Sequence, residues 1–352
     1  TTTPSVEINP GGFWTAKRIT VNGTVNATLG DGQMTGINGL LSSTGIRVGP
    51  AGAVVVAGIA SVRGAAIQGG DDGTVIEGRV SCERFSSGDA GGCIAAGAFL
   101  TLRGDTAAVI ASETRNCTDT GCVMNGGHLL SMEDGATVVA RNINCSGDSG
   151  AVMSGDNIVM SGRASLDARN VYGGGGASAV ATGNFTMRDD TRMVVEHGWG
   201  ADSGFIGCSN FVAQDRAVLE CADSYADNCG ACVLANIVIA DNASIRATQM
   251  RAKELGAALC GGYPGQNISV EGHASVVVRD SRAGLYGGAM LAHRVSMAGG
   301  AFRVELENVT APCGGAILTL GPGNQVGGGE VLVDGSLGGT LRVIDAVEGN
   351  AS

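Results

Sequence analysis

The chain has 352 residues and a formal net charge of −11; 60 residues are Gly, and Trp, Tyr and Phe number only two, four and seven. No apolar run approaches the ~20 residues that a membrane-spanning helix needs, and Gly lacks the period of three that collagen requires. The acidic balance argues against a nucleic-acid surface. The composition therefore predicts an all-β protein with no nucleic-acid partner and no membrane insertion.

Residues 1–50 differ from the rest of the chain by their loosely spaced candidate strands and by the aromatic pair Phe13 and Trp14. A solenoid needs its end coils covered, so this segment is predicted to be an N-terminal cap or a docking extension. No signal peptide precedes Thr1, which is typical of a mature secreted chain.

From residue 51 onward the chain repeats itself at intervals of 26 to 31 residues. A phrase of Asn followed by alternating apolar residues recurs at Asn157-Ile-Val-Met, Asn184-Phe-Thr-Met, Asn210-Phe-Val-Ala, Asn236-Ile-Val-Ile and Asn267-Ile-Ser-Val. A second apolar segment and a Gly-Ala-apolar segment complete each unit. Three short strands in ~27 residues are typical of a solenoid.

The strands are rich in β-branched and small apolar residues, with no helical period. Every unit repeats the same strand order, so each strand is expected to lie in parallel on its equivalent in the next unit. We predict an all-β, right-handed parallel β-helix over residues 51–352, with about ten coils of ~27 residues and three short strands per coil. A propeller blade needs ~40–45 residues and is too long for this repeat.

The recurring Asn is expected to form a ladder, with each side-chain amide bonded to the Asn above and below it. Such a ladder satisfies backbone groups at a sharp turn. An Asn that points inward cannot carry a glycan, so the ladder residues Asn184 and Asn267 conflict with their own glycosylation motifs.

The chain contains nine Asn-x-Ser/Thr glycosylation motifs, roughly three times the number expected by chance from its composition. This excess predicts a secreted or cell- or virion-surface glycoprotein that carries N-linked glycans. We expect occupancy first at Asn116, Asn144 and Asn308. The full set is Asn22, Asn26, Asn116, Asn144, Asn184, Asn242, Asn267, Asn308 and Asn350.

Eleven Cys residues, none in a doubled CxxC arrangement, favour disulfides over zinc. Cys93 and Cys122 each follow a Gly in consecutive units, and strand stacking would put them within disulfide range. Cys117 and Cys145 also fall near one another. We predict the bonds Cys93–Cys122 and Cys117–Cys145, and we expect no metal and no cofactor.

The Gly-Gly-Ala segments at Gly287 and Gly314, each preceded by an Asn-bearing turn, resemble the repeats of polymorphic outer-membrane proteins and related β-helix surface proteins. The resemblance spans roughly residues 75 to 330 and rests on a motif for a tight turn into a packed strand. It implies a surface or adhesion role.

An enzyme is the weakest of the candidate classes. The acidic pairs Asp71-Asp72 and Asp189-Asp190 could in principle serve glycoside hydrolysis, but they are predicted to lie several coils apart. The four His residues occupy different places in their repeats and form no column. A polysaccharide lyase or hydrolase is therefore the less favoured reading, and the chain is predicted not to be an enzyme.

The C-terminal segments Glu330-Val-Leu-Val and Thr340-Leu-Arg-Val-Ile continue the strand pattern without a polar helix to close it. Open strand edges attract other strands. The preferred prediction is a structural subunit of an extracellular filament or coat, a homopolymer joined head to tail through residues 1–30 and 330–350, with other surface glycoproteins as further partners. The alternative is an adhesin or glycan-binding module, which an exposed aromatic stripe would favour.

Overall fold

The computed structural model describes residues 5–8, 14–28, 41–58, 61–62, 65–87, 92–117, 122–146, 150–261, 265–321, 326 and 328–348. The protein is an all-β solenoid of about ten turns, with parallel strands about 27 residues apart in successive turns and no helix among the described residues. This confirms the predicted fold class and repeat length.

The chain divides into two compact units. Unit 1 comprises Thr1–Gly175 with Ala179–Thr182, and unit 2 comprises Gly176–Ser178 with Gly183–Ser352.

The strands of the first part of the chain are β1 (Ser5–Ile8), β2 (Trp14–Thr15), β3 (Arg18–Val21), β4 (Thr24–Thr28), β5 (Leu41–Val48), β6 (Ala53–Ala57), β7 (Ser61–Val62), β8 (Ile67–Ile76), β9 (Arg79–Glu83), β10 (Ser86–Ser87), β11 (Ile94–Ala96), β12 (Phe99–Arg103), β13 (Ala108–Ser112), β14 (Arg115–Cys117), β15 (Met124–Asn125), β16 (Leu129–Glu133), β17 (Thr137–Cys145), β18 (Met153–Met160) and β19 (Ser165–Gly173).

The remaining strands are β20 (Val180–Met187), β21 (Arg192–Gly200), β22 (Ile206–Ala213), β23 (Val218–Ala226), β24 (Val233–Ile239), β25 (Ser244–Ala252), β26 (Leu259–Cys260), β27 (Asn267–Glu271), β28 (Ser275–Ala283), β29 (Met290–Ala292), β30 (Arg294–Ala298), β31 (Arg303–Ala311), β32 (Ile317–Thr319), β33 (Glu330–Val333), β34 (Thr340–Ile344) and β35 (Val347–Glu348).

The number of strands per coil varies from the predicted three. In β22 and β24 the Gly-Ala segment and the Asn phrase join into one strand of eight or seven residues, whereas β26 and β27 keep them apart. The coil lengths differ little, so the same residues fill the same places in either case.

Parallel pairing already includes strands within residues 1–50. Strand β3 pairs with β5, and β4 pairs with β6, each in continuous register. The coil pattern thus extends into the segment predicted as a cap or docking extension, and that additional role stays a prediction.

The core of unit 2 is built from columns of side chains that occupy the same position in successive coils. Phe211, Ile237, Ile268 and Val295 are direct partners in successive strands, and all four side chains are fully buried. Burial alternates along each strand because every second side chain points inward. Stacked columns of this kind remove large continuous apolar areas from water, which is the main stabilising term for such a chain.

The Gly-Gly-Ala segments are explained by backbone geometry and space. Gly287 has a φ of 60° and Gly314 a φ of 84°, values that residues with a Cβ rarely adopt. A Cβ on the neighbouring Gly288 would lie 2.4 Å from Cγ1 of Val309. Each pair therefore turns the chain tightly into a buried strand.

The observed disulfides contradict one of the two predicted bonds, and the other predicted bond stays untested. Cys93 is bonded to Cys82 within the same coil, so the predicted Cys93–Cys122 bond is wrong. A second bond, Cys221–Cys232, has the same separation of 11 residues. Both bonds cross from a nine- or five-residue strand to the Gly-Ala segment that follows it.

The error in the Cys93–Cys122 prediction is a shift of one residue. Ile94 pairs with Met124, so Cys93 lies opposite Val123 and its backbone N–H donates to the carbonyl of Cys122 at 3.1 Å. Because side chains alternate faces along a strand, a one-residue offset separates the two sulfur atoms.

Cys117 lies opposite Cys145 in the register of β14 and β17, so the predicted adjacency is correct. The side chain of Cys117 is outside the described part of the structure, and the bond between these two residues stays a prediction.

Candidate functional site

The candidate site lies on the five nine-residue strands of unit 2, namely β21, β23, β25, β28 and β31. Each bends at its sixth residue, which has a positive φ of 50 to 57°; these residues are His197, Asp223, Gln249, Asp280 and Asn308. Asn and Asp tolerate this left-handed conformation better than most residues. The bend keeps the seventh side chain inside the core and directs the eighth outward.

The eighth residues form one outward column along unit 2. Trp199 lies opposite Tyr225 in the register of β21 and β23, and Tyr225 lies opposite Arg251 in the next coil. Arg251 then lies opposite Arg282, which lies opposite Thr310. Successive rungs of parallel strands are ~4.8 Å apart, so two aromatic side chains and two guanidinium groups form a continuous band, called here the Trp–Arg column.

A groove of about 460 Å³ runs beside this column. Tyr225, Arg251 and Arg282 line it together with Asp280 and Asn308 of the bend column. The Asn308 side-chain amide donates a hydrogen bond of 2.6 Å to Oδ1 of Asp280, which orients both polar groups. The groove therefore combines an aromatic face with hydrogen-bonding and cationic groups.

The phenol of Tyr225 is fixed by a neighbouring carboxylate. Partial burial raises the pKa of Tyr225, and the charge of Asp227 and its hydrogen bond with the Tyr225 hydroxyl raise it further. Raising the pKa keeps the hydroxyl protonated as the donor to Asp227. The ring is thereby held in place beside the groove.

Arg251 and Arg282 are both exposed and directly stacked. Two other arginines of unit 2 pair with a carboxylate of the neighbouring coil: Arg279 Nε lies 3.0 Å from Glu307 Oε2, and Arg192 Nη2 lies 2.7 Å from Glu220 Oε2. No ion pair holds Arg251 or Arg282 within the described residues. Their two charges remain available to a ligand.

The predicted Asn ladder is confirmed in unit 2, but it lies on the outer surface. Nδ2 of Asn210 donates to Oδ1 of Asn184 at 2.8 Å, and Nδ2 of Asn236 donates to Oδ1 of Asn210 at 3.3 Å. The backbone N–H of Asn267 continues the series to Oδ1 of Asn236 at 3.0 Å. Asn184 is exposed, so the expectation of an inward ladder is wrong.

The remaining glycosylation candidates occupy varied surroundings. Asn22, Asn144, Asn242 and Asn308 are exposed, and Asn26 is half-buried in β4. Asn144 belongs to strand β17, and Asn308 is the bend residue of strand β31. Asn116 is described only in its backbone and Asn350 lies outside the described residues. Occupancy of all nine sites stays a prediction, and a glycan on Asn308 would fill part of the groove that this residue lines.

The residues weighed for catalysis are engaged by basic or acidic neighbours. Asp72 Oδ2 lies 3.6 Å from Arg18 Nε, and Asp190 Oδ2 accepts a hydrogen bond of 2.8 Å from Arg216. His128 contacts Asp156 at 2.7 Å. These pairs are exposed and are ordinary surface ion pairs.

Cys229 and Cys232 form a Cys-x-x-Cys sequence, but their side chains have different partners. Cys232 is bonded to Cys221, while Cys229 packs with Cys260 in a small buried cluster with Leu234 and Leu291. In the part of the chain that the structure describes, no three His, Cys, Asp or Glu side chains are grouped so that they could hold a metal ion.

The sequence contains a periodic signal for the Trp–Arg column. Trp199, Tyr225, Arg251 and Arg282 are separated by 26, 26 and 31 residues. The ladder residues Asn184, Asn210, Asn236 and Asn267 have the same three intervals. Residues that share the intervals of a solenoid share a column, so these intervals predict that the half-buried Trp199 and Tyr225 lie in one column.

No described helix is long and apolar enough to cross a bilayer. The two disulfides are compatible with an extracellular location. Comparison of the chain with protein-family models, with curated proteins and with solved structures found no match.

Proposed function

We propose that the protein is a glycan-binding module whose unit 2 holds a sugar chain along the Trp–Arg column. The observation that carries this proposal is that Trp199 lies directly opposite Tyr225 in the strand register and that Tyr225 lines a polar groove. Aromatic rings offer a large apolar face at small entropic cost, while the groove offers donors and acceptors for hydroxyl groups. A ligand with alternating apolar and hydroxyl faces matches this combination.

The proposal is tested by titrating neutral oligosaccharides while following the fluorescence of Trp199 in a Trp14→Phe background, which leaves one Trp in the chain. We expect saturable quenching. Trp199→Phe should bind in a parallel calorimetric assay, whereas Trp199→Ala and Tyr225→Ala should each weaken binding at least fivefold, about 1 kcal/mol.

The matched control is Phe99→Ala, which removes an exposed aromatic side chain from a strand of unit 1. It should leave binding unchanged. Equal affinities for the Trp199→Ala variant and the unaltered protein would overturn the proposal, provided that both give the same thermal unfolding curve.

A second candidate function is the structural subunit of a filament, and the exposed apolar side chains of the last coil favour it. Val331 and Val343 are 48% and 46% exposed, although their partners Val295 and Leu306 in the preceding coil are fully buried. Leu337 is 66% exposed. A second copy seated on this coil would continue the core columns and cover these side chains.

Sedimentation at rising concentration tests this second candidate. Deleting residues 1–15, or introducing Val331→Lys with Val343→Lys, should abolish assembly while the coils stay folded. Leu285→Lys, which alters an exposed leucine on the side of unit 2, is the control. A protein that sediments as a monomer at high concentration would rule the filament out.

We further propose that the protein is an extracellular glycoprotein. Support comes from the two disulfides, which persist in oxidising compartments, and from the nine glycosylation motifs. Enzymatic removal of N-linked glycans from native material should lower its mass and convert each occupied Asn to Asp in peptide maps. A native protein whose mass equals that of the bare chain would contradict this.

A further inference from the structure

We propose that the Trp–Arg column selects acidic glycans, whose carboxylate or sulfate groups are bound by Arg251 and Arg282. The inference rests on the proposed glycan-binding function and assigns its ligand class. It follows from four rungs in fixed order, two aromatic and two cationic, on one outward column.

The arrangement of Arg251 and Arg282 has an electrostatic cost. Like charges placed directly opposite one another on neighbouring strands destabilise a sheet. Arg251 and Arg282 are placed in this way, and no carboxylate on the described chain forms an ion pair with either. An anionic ligand removes this repulsion, so binding and relief of the repulsion are coupled.

The groove itself is lined by more basic than acidic side chains. Asp280 is the single carboxylate among the residues that line it, and its Oδ1 already accepts a hydrogen bond from Asn308. Asp227, outside the groove, is engaged by the Tyr225 hydroxyl. Two guanidinium groups face one carboxylate here, so the groove carries local positive charge on a chain of net charge −11.

The guanidinium groups and the spacing of the column fit the geometry of an acidic oligosaccharide. Each guanidinium presents a planar fork of donors that matches a carboxylate or a sulfate with two parallel hydrogen bonds. Successive rungs are ~4.8 Å apart, so the four rungs from Trp199 to Arg282 span roughly 14 Å along the solenoid axis. A linear acidic oligosaccharide can lie along this line, with sugar faces on the aromatic rungs and acidic groups on the arginines.

The net charge of the whole chain sharpens the inference. A protein with 33 acidic and 22 basic residues repels polyanions at long range. Attraction of an acidic glycan therefore has to come from a local site rather than from the general field of the protein. Binding should weaken with added salt, since the arginines are exposed.

The test compares size-matched oligosaccharides by calorimetry at low and high salt. The probes are a neutral glucan oligomer, a polyuronate oligomer for the carboxylate and a sulfated glucan oligomer for the sulfate. We expect at least tenfold tighter binding of one or both acidic oligomers at low salt. The oligomer that binds identifies which acidic group the arginines accept.

The variant Arg251→Gln with Arg282→Gln should bind the acidic oligomers no better than the neutral one. Arg251→Lys with Arg282→Lys keeps the charges and removes the forks, and it should give an intermediate preference. Arg246→Gln is the control, because Arg246 is an exposed arginine on the same strand β25 but outside the column.

Two outcomes would overturn the acidic preference while glycan binding stands: equal affinities for neutral and acidic oligomers, or an unchanged preference in the Arg251→Gln, Arg282→Gln variant. Equal binding of polyglutamate would also overturn it, because the column would then accept any polyanion. Failure of every oligosaccharide to bind, with Trp199→Ala making no difference, would instead refute the proposed function itself.

Discussion

At the scale of single residues, Glu77 in unit 1 is a charged group that is almost completely buried. It is 8% exposed and lies between two arginines of adjacent coils: Arg47 Nη2 lies 2.6 Å from Oε2, and Arg103 Nη2 lies 2.8 Å from Oε1. The hydrogen bond from Arg47 lowers the pKa of Glu77 against the opposing effect of burial, and the bond from Arg103 adds to it. One carboxylate thus ties three coils together.

Glu77→Gln should therefore destabilise unit 1 by about 1–2 kcal/mol at neutral pH, less than for a fully buried ion pair because both guanidinium groups remain half exposed. The lowered pKa means that this stabilisation is full above the usual carboxylate pKa and disappears as the pH falls through the pKa of the folded state. Denaturant unfolding of both proteins between pH 7 and pH 3 measures it. Glu83→Gln, at an exposed carboxylate of the same unit, should cost nothing measurable at either pH.

The thiol of Cys260 illustrates how burial controls reactivity. Its side chain is fully buried, and burial together with contact to the Cys229 thiol raises its pKa well above the usual value. Because the thiolate is the reactive form, iodoacetamide at pH 8 should leave Cys260 unmodified in the folded protein and alkylate it in guanidinium chloride. Cys313, a half-exposed thiol of the same unit, should react without denaturant. Rapid labelling of native Cys260 would show that its cluster opens.

At the scale of structural elements, the disulfide Cys221–Cys232 joins β23 to the segment that begins β24. It closes a loop of 11 residues. Replacing both cysteines by Ala should lower the free energy of unfolding of unit 2 by about 3 kcal/mol, because the unfolded chain regains the entropy of that loop. Chemical denaturation of the oxidised protein measures the loss. Reducing agent should then have no further effect at this position, whereas it should destabilise the unaltered protein.

The exposed Asn ladder makes a smaller contribution per rung. Asn210 is its central member, donating to Asn184 and accepting from Asn236. Asn210→Ala should destabilise unit 2 by about 1 kcal/mol, the usual net value of a lost hydrogen-bond pair at a partly hydrated site. Ser209→Ala, at the exposed neighbouring position of β22, is the comparison, and a larger loss in Ser209→Ala than in Asn210→Ala would contradict a stabilising ladder.

The elements also show which features could be predicted from sequence. The Asn phrase predicted both the coil length and the ladder, because each coil repeats one residue type at one place. The Cys93–Cys122 prediction was wrong because the two cysteines each follow a Gly in the sequence but stand one residue apart in register. The column of Trp199 and Arg282 mixes residue types, so a search for identical residues could not find it, although its spacing is that of the ladder.

At the scale of the whole molecule, charge governs solubility. The sequence pI is about 4.8, so the repulsion that separates molecules at neutral pH disappears near that value. Turbidity measured from pH 7 to pH 4 should therefore rise to a maximum near pH 4.8 and fall with more acid. The Val331→Lys, Val343→Lys variant should show less turbidity at the maximum than Leu285→Lys, if the exposed apolar coil contributes to association. Equal turbidity would remove that coil from the explanation.

The parallel register of unit 2 distributes the residues of the Trp–Arg column along the sequence, one from each coil. Each coil of 26 to 31 residues contributes one outward rung to the Trp–Arg column, so a ligand that follows the axis is compared with one amino acid from each coil in turn. Ligand specificity is therefore encoded by residues spaced one coil apart in the sequence rather than by a local motif. Duplicating a coil would lengthen the column by one residue and ~4.8 Å, and a single substitution would change one contact with the ligand without altering the solenoid that supports it.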